Sequence, residues 1–186
     1  MTRIYIPYAA YFITTNPKDR IAYFEEDEFI KILSYSIEEC TRLKNANLIG
    51  YKINPEHIHL VVQVKDTFNI SEVMHSIKRV SSDRINQILA YLQEDNPYSN
   101  LAWSDELISL REKFTRKYNL KKPHEYPLFR WQRGFDDQLI RSKKQLFSAI
   151  NYLRIQHIKH NLGNVQGLRI FDSIPEDIFY LEDKCS

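Results

Sequence analysis

Apolar and polar positions repeat with two different periods along this chain, and each change of period marks a new element. Tyr8 to Thr15 is aromatic and β-branched and stops at Asn16-Pro17, which predicts a strand followed by a turn. From Glu25 to about Asn45 the apolar residues fall at Phe29, Leu33, Ile37, Cys40 and Leu43, with acids in the first turn, the spacing and charge of a helix. Asn47 to Ile53 predicts a second strand, and Asn54-Pro55 turns it into an antiparallel third strand running through Val64. Side chains two apart on a strand share a face, so Ile58, Leu60, Val62 and Val64 line one side of it. His57, His59, Val61 and Gln63 line the other. A second helix is predicted from Ser71 to about Leu92, apolar at Val73, Ile77, Val80, Ile85, Ile88 and Leu89, with Lys78, Arg79 and Arg84 on its polar side. Leu128 to Phe135 reads as a fourth strand or its approach, bent at Gly134. The last helix is predicted from about Lys143 to Leu162, with Leu146, Phe147, Ile150, Leu153 and Ile158 as its apolar residues and Gly163 as its stop.

The order strand, helix, strand, strand, helix, strand, helix predicts an α+β fold. Its simplest form is a ferredoxin-like four-stranded antiparallel sheet with helices on one face, plus the C-terminal helix. At 186 residues the chain suits one domain spanning 1–186, with a basic helical insertion at about 94–127 and a tail of its own kind at about 164–186. No apolar run is long enough to span a bilayer, and the first residues carry no signal-peptide core, so the expectation is a cytoplasmic protein without a membrane partner. Cys40 and Cys185 have no metal or disulfide spacing. Net charge is only +2, yet from Arg111 to His160 there are 13 Lys or Arg against four acids, a surplus that a phosphate backbone would neutralise.

Two imidazoles side by side on one strand face can share a metal ion when a third group completes the set. The last helix offers that group. Tyr152 and Gln156 are four apart and so stack on one side of it, where a helix laid against the histidine face presents a phenol and a neutral carbonyl oxygen together. Two imidazoles and one carbonyl suit a divalent ion such as Mg2+ or Mn2+ that must still bind a phosphate oxygen. Taken singly, the His-x-His pair reads equally as a half-buried strand, Tyr152 as a core-edge tyrosine and Gln156 as a solvated polar residue.

Taken together, these residues resemble the HUH-type single-tyrosine transposases, above all the REP-associated tyrosine transposases. The resemblance rests on Pro55-Glu56-His57-Ile58-His59-Leu60, then Ile77-Lys78 with Ile85-Asn86, then Trp131-Gln132-Arg133-Gly134-Phe135 with Ile140-Arg141, then Ile150-Asn151-Tyr152-Leu153 ahead of Lys159-His160. It spans roughly residues 8 to 163 apart from the insertion. It implies His57, His59 and Gln156 as metal ligands, Tyr152 as nucleophile, and cleavage and rejoining of single-stranded DNA through a 5′-phosphotyrosine. It also implies recognition of a DNA hairpin, by a monomer or a homodimer. The chain departs from the pattern at Gln156-His157, where relatives commonly have Asn-Pro, and at Gln138, where they often have histidine. Lys78, Arg79, Arg130, Arg133 and Arg141 are the candidate phosphate contacts, and Trp131, with Phe135, the candidate base-stacking groups. Two other readings fit parts of the pattern: an RRM-like module that binds single strands without catalysis, and a metal-dependent nuclease that uses water.

Overall fold

The computed structural model describes residues 5–89, 128–159 and 167–180, together with Ser109 and Arg116. Besides two short 3-10 turns, its elements are β1 (Ala10–Thr15), α1 (Asp27–Leu43), β2 (Asn47–Asn54), β3 (His57–Gln63), α2 (Ile70–Ile88), β4 (Asp136–Ile140), α3 (Lys143–Lys159) and β5 (Leu168–Ile170). The strands form one sheet in the order β4-β1-β3-β2-β5, with every neighbouring pair antiparallel.

Local chemistry explains where the elements begin and end. α1 stops in a Schellman motif: Asn45 takes a positive φ of 48°, its N–H donates to Arg42 O, and Ala46 N–H donates to Thr41 O. α2 opens in a capping box, in which the Asn69 side chain accepts from the Glu72 N–H and the Glu72 carboxylate accepts from the Asn69 N–H. The hairpin closes where Asn54 pairs with His57, so Pro55-Glu56 forms the turn predicted for it.

The sheet is covered on both faces. Ile58, Leu60 and Val62 are buried under α1 and α2 in the larger core, with Phe29, Leu33, Ile37, Val73 and Ile77. Full burial of each such side chain contributes about 1.5–3 kcal/mol. The opposite face carries a smaller core in which Ala10, Ile49 and Val61 meet Leu146, Ile150 and Leu153 of α3. The last helix therefore packs on the histidine face, as its sequence suggested.

Four details differ from the sequence reading. The fourth strand is Asp136–Ile140, and residues 128–135 lead into it with only an isolated bridge from Trp131 to Pro17. Phe129 and Trp131 are aromatic because they pack against Tyr23 and Phe24 in the larger core, not because they form a ladder. The sheet has a fifth strand in the tail, where β5 pairs with β2 and Ile178 and Tyr180 are buried in the smaller core. Phe147 and Ile158 are 60% and 70% exposed, so the inward stripe of α3 is Leu146, Ile150, Leu153 and Gln156. The stretch 94–127, apart from Ser109 and Arg116, and the Gly163 stop lie outside the described residues.

Candidate active site

Cross-strand register assembles the site on the α3 face of the sheet. Asp136, Thr14, His59 and Lys52 fall in one row across β4, β1, β3 and β2, and His57 and Asn54 pair in the row beyond. Residues in one antiparallel row point the same way, so these side chains share a face with Phe12, Val61 and Gly50.

The two histidines are held differently. Thr14 Oγ1 lies 2.9 Å from His59 Nδ1, and Phe12 stacks on the His59 ring at 5.3 Å between centroids. That contact engages Nδ1 of the ring. On the other side His57 Nε2 lies 3.0 Å from Asn54 Nδ2, and the two imidazoles meet edge to face at 4.9 Å. Tyr152 of α3 stands edge-on to His59 at 5.3 Å and to Phe12 at 5.7 Å. One turn on, Gln156 is fully buried, and its Oε1 receives a longer contact of 3.5 Å from the same Asn54 amide. α3 reaches the sheet this closely over Gly50, where an added Cβ would stand 3.2 Å from Leu153 Cδ1 and 3.0 Å from Arg169 O.

This donor set fits a divalent cation. Two lone pairs, on His57 Nε2 and Gln156 Oε1, converge on one amide nitrogen, a place where a positive centre is stabilised. Among the described residues no three of His, Cys, Asp and Glu gather as a metal site, so a metal here depends on two imidazoles with carboxamide oxygens. An open cavity of about 330 Å3 adjoins Tyr152, lined by Phe12, Gln138, Ile140, Gln145, Ser148 and Ala149.

The structure thus brings together His57, His59, Tyr152 and Gln156 and adds Phe12, Thr14, Lys52 and Asn54, none of which the sequence reading assigned to the site. Lys52 is buried beside His59 in register, and burial pushes its pKa down. The remaining candidates, Arg141 apart, lie elsewhere. Trp131 donates from Nε1 to Ser81 Oγ at 3.0 Å and packs between Phe24 and Phe129 on the α1/α2 side, away from Tyr152. Lys78 donates from Nζ to Gln132 O at 3.2 Å and to Gly134 O, which ties the 131–135 loop to α2. Burial pushes its pKa down to about 8. Arg79, Arg130 and Arg133 are exposed. Arg141 is exposed as well and lies between Ile140 and Gln145, both of which line the cavity beside Tyr152.

A family model described as IS200-like transposase matches residues 7–111, more than half of the chain. The chain belongs to the IS200-like transposases. The matched segment holds both histidines, Thr14 and Asn54 but ends before α3, so the place of Tyr152 and Gln156 in this transposase rests on the geometry above. No curated protein matches it significantly. Among solved structures, that of a REP-associated tyrosine transposase bound to a REP hairpin is 19% identical, with a TM-score of 0.54, covering 86% of this chain and 73% of that one. It shares the fold of this transposase. A candidate transposase from Deinococcus radiodurans R1 is 17% identical with a TM-score of 0.47, covering 84% of this chain and 97% of that one. Among the described residues no helix is long and apolar enough to cross a membrane.

Proposed function

We propose that this transposase cuts and rejoins single-stranded DNA through Tyr152. The observation that carries the reading is the meeting of Tyr152 with His59 at 5.3 Å, while Gln156, one turn further along the same helix, reaches the Asn54 amide beside His57. In this reading Tyr152 is the nucleophile, and His57 and His59 of β3 with Gln156 of α3 are the ligand side chains.

In the forward step the Tyr152 phenolic oxygen attacks a backbone phosphorus. An O–P bond forms, the bond from phosphorus to the 3′ oxygen breaks, the phenol proton is lost to solvent and the leaving oxygen gains one. The products are a 5′-phosphotyrosine and a free 3′-hydroxyl. Attack by a 3′-hydroxyl reverses the step, so strands are rejoined without a nucleotide cofactor because the phosphodiester is exchanged rather than hydrolysed. His57, His59 and Gln156 would hold a divalent cation, Mg2+ or Mn2+, which supplies Lewis acidity toward the scissile phosphate. Phe12 packs against both the Tyr152 and His59 rings, and Thr14 Oγ1 engages His59 Nδ1. Arg141, next in sequence to the cavity residue Ile140, is the first candidate for the DNA backbone. The hairpin-bound relative supports a hairpin-bearing strand as substrate.

The burial of the histidine face beneath α3 argues against an RRM-like module, which reads bases on an open sheet face. The test is cleavage of a labelled single strand carrying a hairpin, in Mn2+, by wild type and Tyr152→Phe. Loss of cleavage in the variant is the expected result. Retained cleavage identifies a nuclease that uses water.

A further inference from the structure

We infer that Asn54 is a fourth metal-holding residue of this transposase, its carboxamide turning about χ2 to present Oδ1 to the cation that His57, His59 and Gln156 hold. The inference rests on the metal-site reading above and extends it to a residue on β2.

Three observations support it. Asn54 is 1% exposed and stands directly opposite His57 in the β2–β3 register, so its side chain is fixed on the site face. Its Nδ2 is 3.0 Å from His57 Nε2 and 3.5 Å from Gln156 Oε1, so the amide tip stands between two of the atoms that would bind the cation. Its Oδ1 is buried and finds no hydrogen-bond partner among the described residues, and the same holds for Gln156 Nε2. A buried carbonyl oxygen with no partner is costly to keep, so a half-turn of the amide gives up no hydrogen bond at Oδ1.

The two halves of a carboxamide have nearly the same shape and opposite polarity. With no cation, the NH2 half between two acceptors is the favourable arrangement. A cation in that space repels the NH2 hydrogens, and a half-turn of the amide exchanges them for a second carboxamide oxygen. The set then becomes two imidazole nitrogens and two neutral oxygens. Mg2+ and Mn2+ favour octahedral coordination with oxygen donors, so such a set still leaves positions for a phosphate oxygen. An asparagine before the turn therefore serves twice, as the last residue of β2 and as part of the site.

The test is Mn2+ binding to the full chain, read by calorimetry and by electron paramagnetic resonance of the free ion, for wild type, Asn54→Ala and Asn54→Asp, with thermal unfolding as a check on folding. Asn54→Ala should bind Mn2+ at least about tenfold more weakly, in the range seen when groups around a metal are removed. Asn54→Asp, which places a charged oxygen on the same stem, should bind more tightly than wild type. Unchanged affinity in Asn54→Ala overturns the proposal, and tighter binding overturns it by showing that the amide competes with the ion. Should Asn54→Ala fail to fold, Asn54→Asp decides: tighter binding supports the proposal, and unchanged or weaker binding overturns it. A wild-type chain that binds no Mn2+ overturns the metal-site reading and this proposal together, whereas the variant outcomes bear on Asn54 alone.

Discussion

Thr14 Oγ1 lies 2.9 Å from His59 Nδ1, a contact between neighbouring strands that engages one nitrogen of the imidazole. When Nδ1 is protonated and donates to the hydroxyl, Nε2 carries the lone pair that a metal needs. Thr14→Val keeps the shape and removes the hydroxyl, so Mn2+ affinity should fall about 10- to 100-fold while the fold is retained. Thr14→Ser should restore most of it. Calorimetric titration of the three proteins checks this, and equal affinity for Thr14→Val would show that the hydroxyl does not orient the ring.

Gly50 sets how closely the tyrosine helix approaches the sheet. A Cβ there would lie 3.0 Å from Arg169 O and 3.2 Å from Leu153 Cδ1, and the branched side chain of Gly50→Val must push α3 or β5 outward. The expected cost is about 1–3 kcal/mol, typical of overpacking. Because Tyr152 and Gln156 ride on α3, DNA cleavage should fall by more than the unfolded fraction explains. Urea unfolding and cleavage rates on the same samples separate the two effects, and a variant with full stability and full rate would contradict this role for the glycine.

Lys78 links pH to stability. Burial lowers its folded-state pKa to about 8, below the ordinary lysine value of about 10.4 that it has when unfolded. Between those values the unfolded chain binds more protons, so this residue's contribution to stability rises with pH across the window. Below about pH 8 both states are protonated and the contribution is flat and least favourable. Compared with Lys78→Met, which has no such proton, wild type should gain stability steadily from about pH 8 to about pH 10.4. Denaturant unfolding of both proteins at several pH values measures the gap. A gap independent of pH would mean that the ammonium is solvated.

The elements with strong periodicity were legible in the sequence: β1, the β2–β3 hairpin, α1, α2 and α3, and with them the histidine face and the helix that covers it. The two edge strands were not. β4 reads Asp136-Asp137-Gln138-Leu139-Ile140, with two acids at its start, and is a strand because β1 offers it a ladder; composition alone favoured the aromatic stretch before it. β5 has three residues, too few to show a period, and gains its place from β2. The site divides in the same way. His57 and His59 sit two apart on one strand, and Tyr152 and Gln156 four apart on one helix, so local spacing displays each pair. Thr14, Lys52 and Asn54 reach the site through register with a partner strand, and Asn54 was absorbed into the turn signal of Asn54-Pro55. Register between strands is not written in either strand alone.

A covalent bond between Tyr152 and DNA is what this chemistry requires, and that bond can be looked for directly. The protein is incubated with labelled single-stranded DNA bearing a hairpin, in Mn2+, then denatured, and the protein–DNA species is digested and mapped by mass spectrometry. A 5′-phosphotyrosine on Tyr152 is expected, absent with Tyr152→Phe and absent with a chelator. Cleaved DNA with no adduct, or an adduct on another residue, would rule out Tyr152 as the nucleophile.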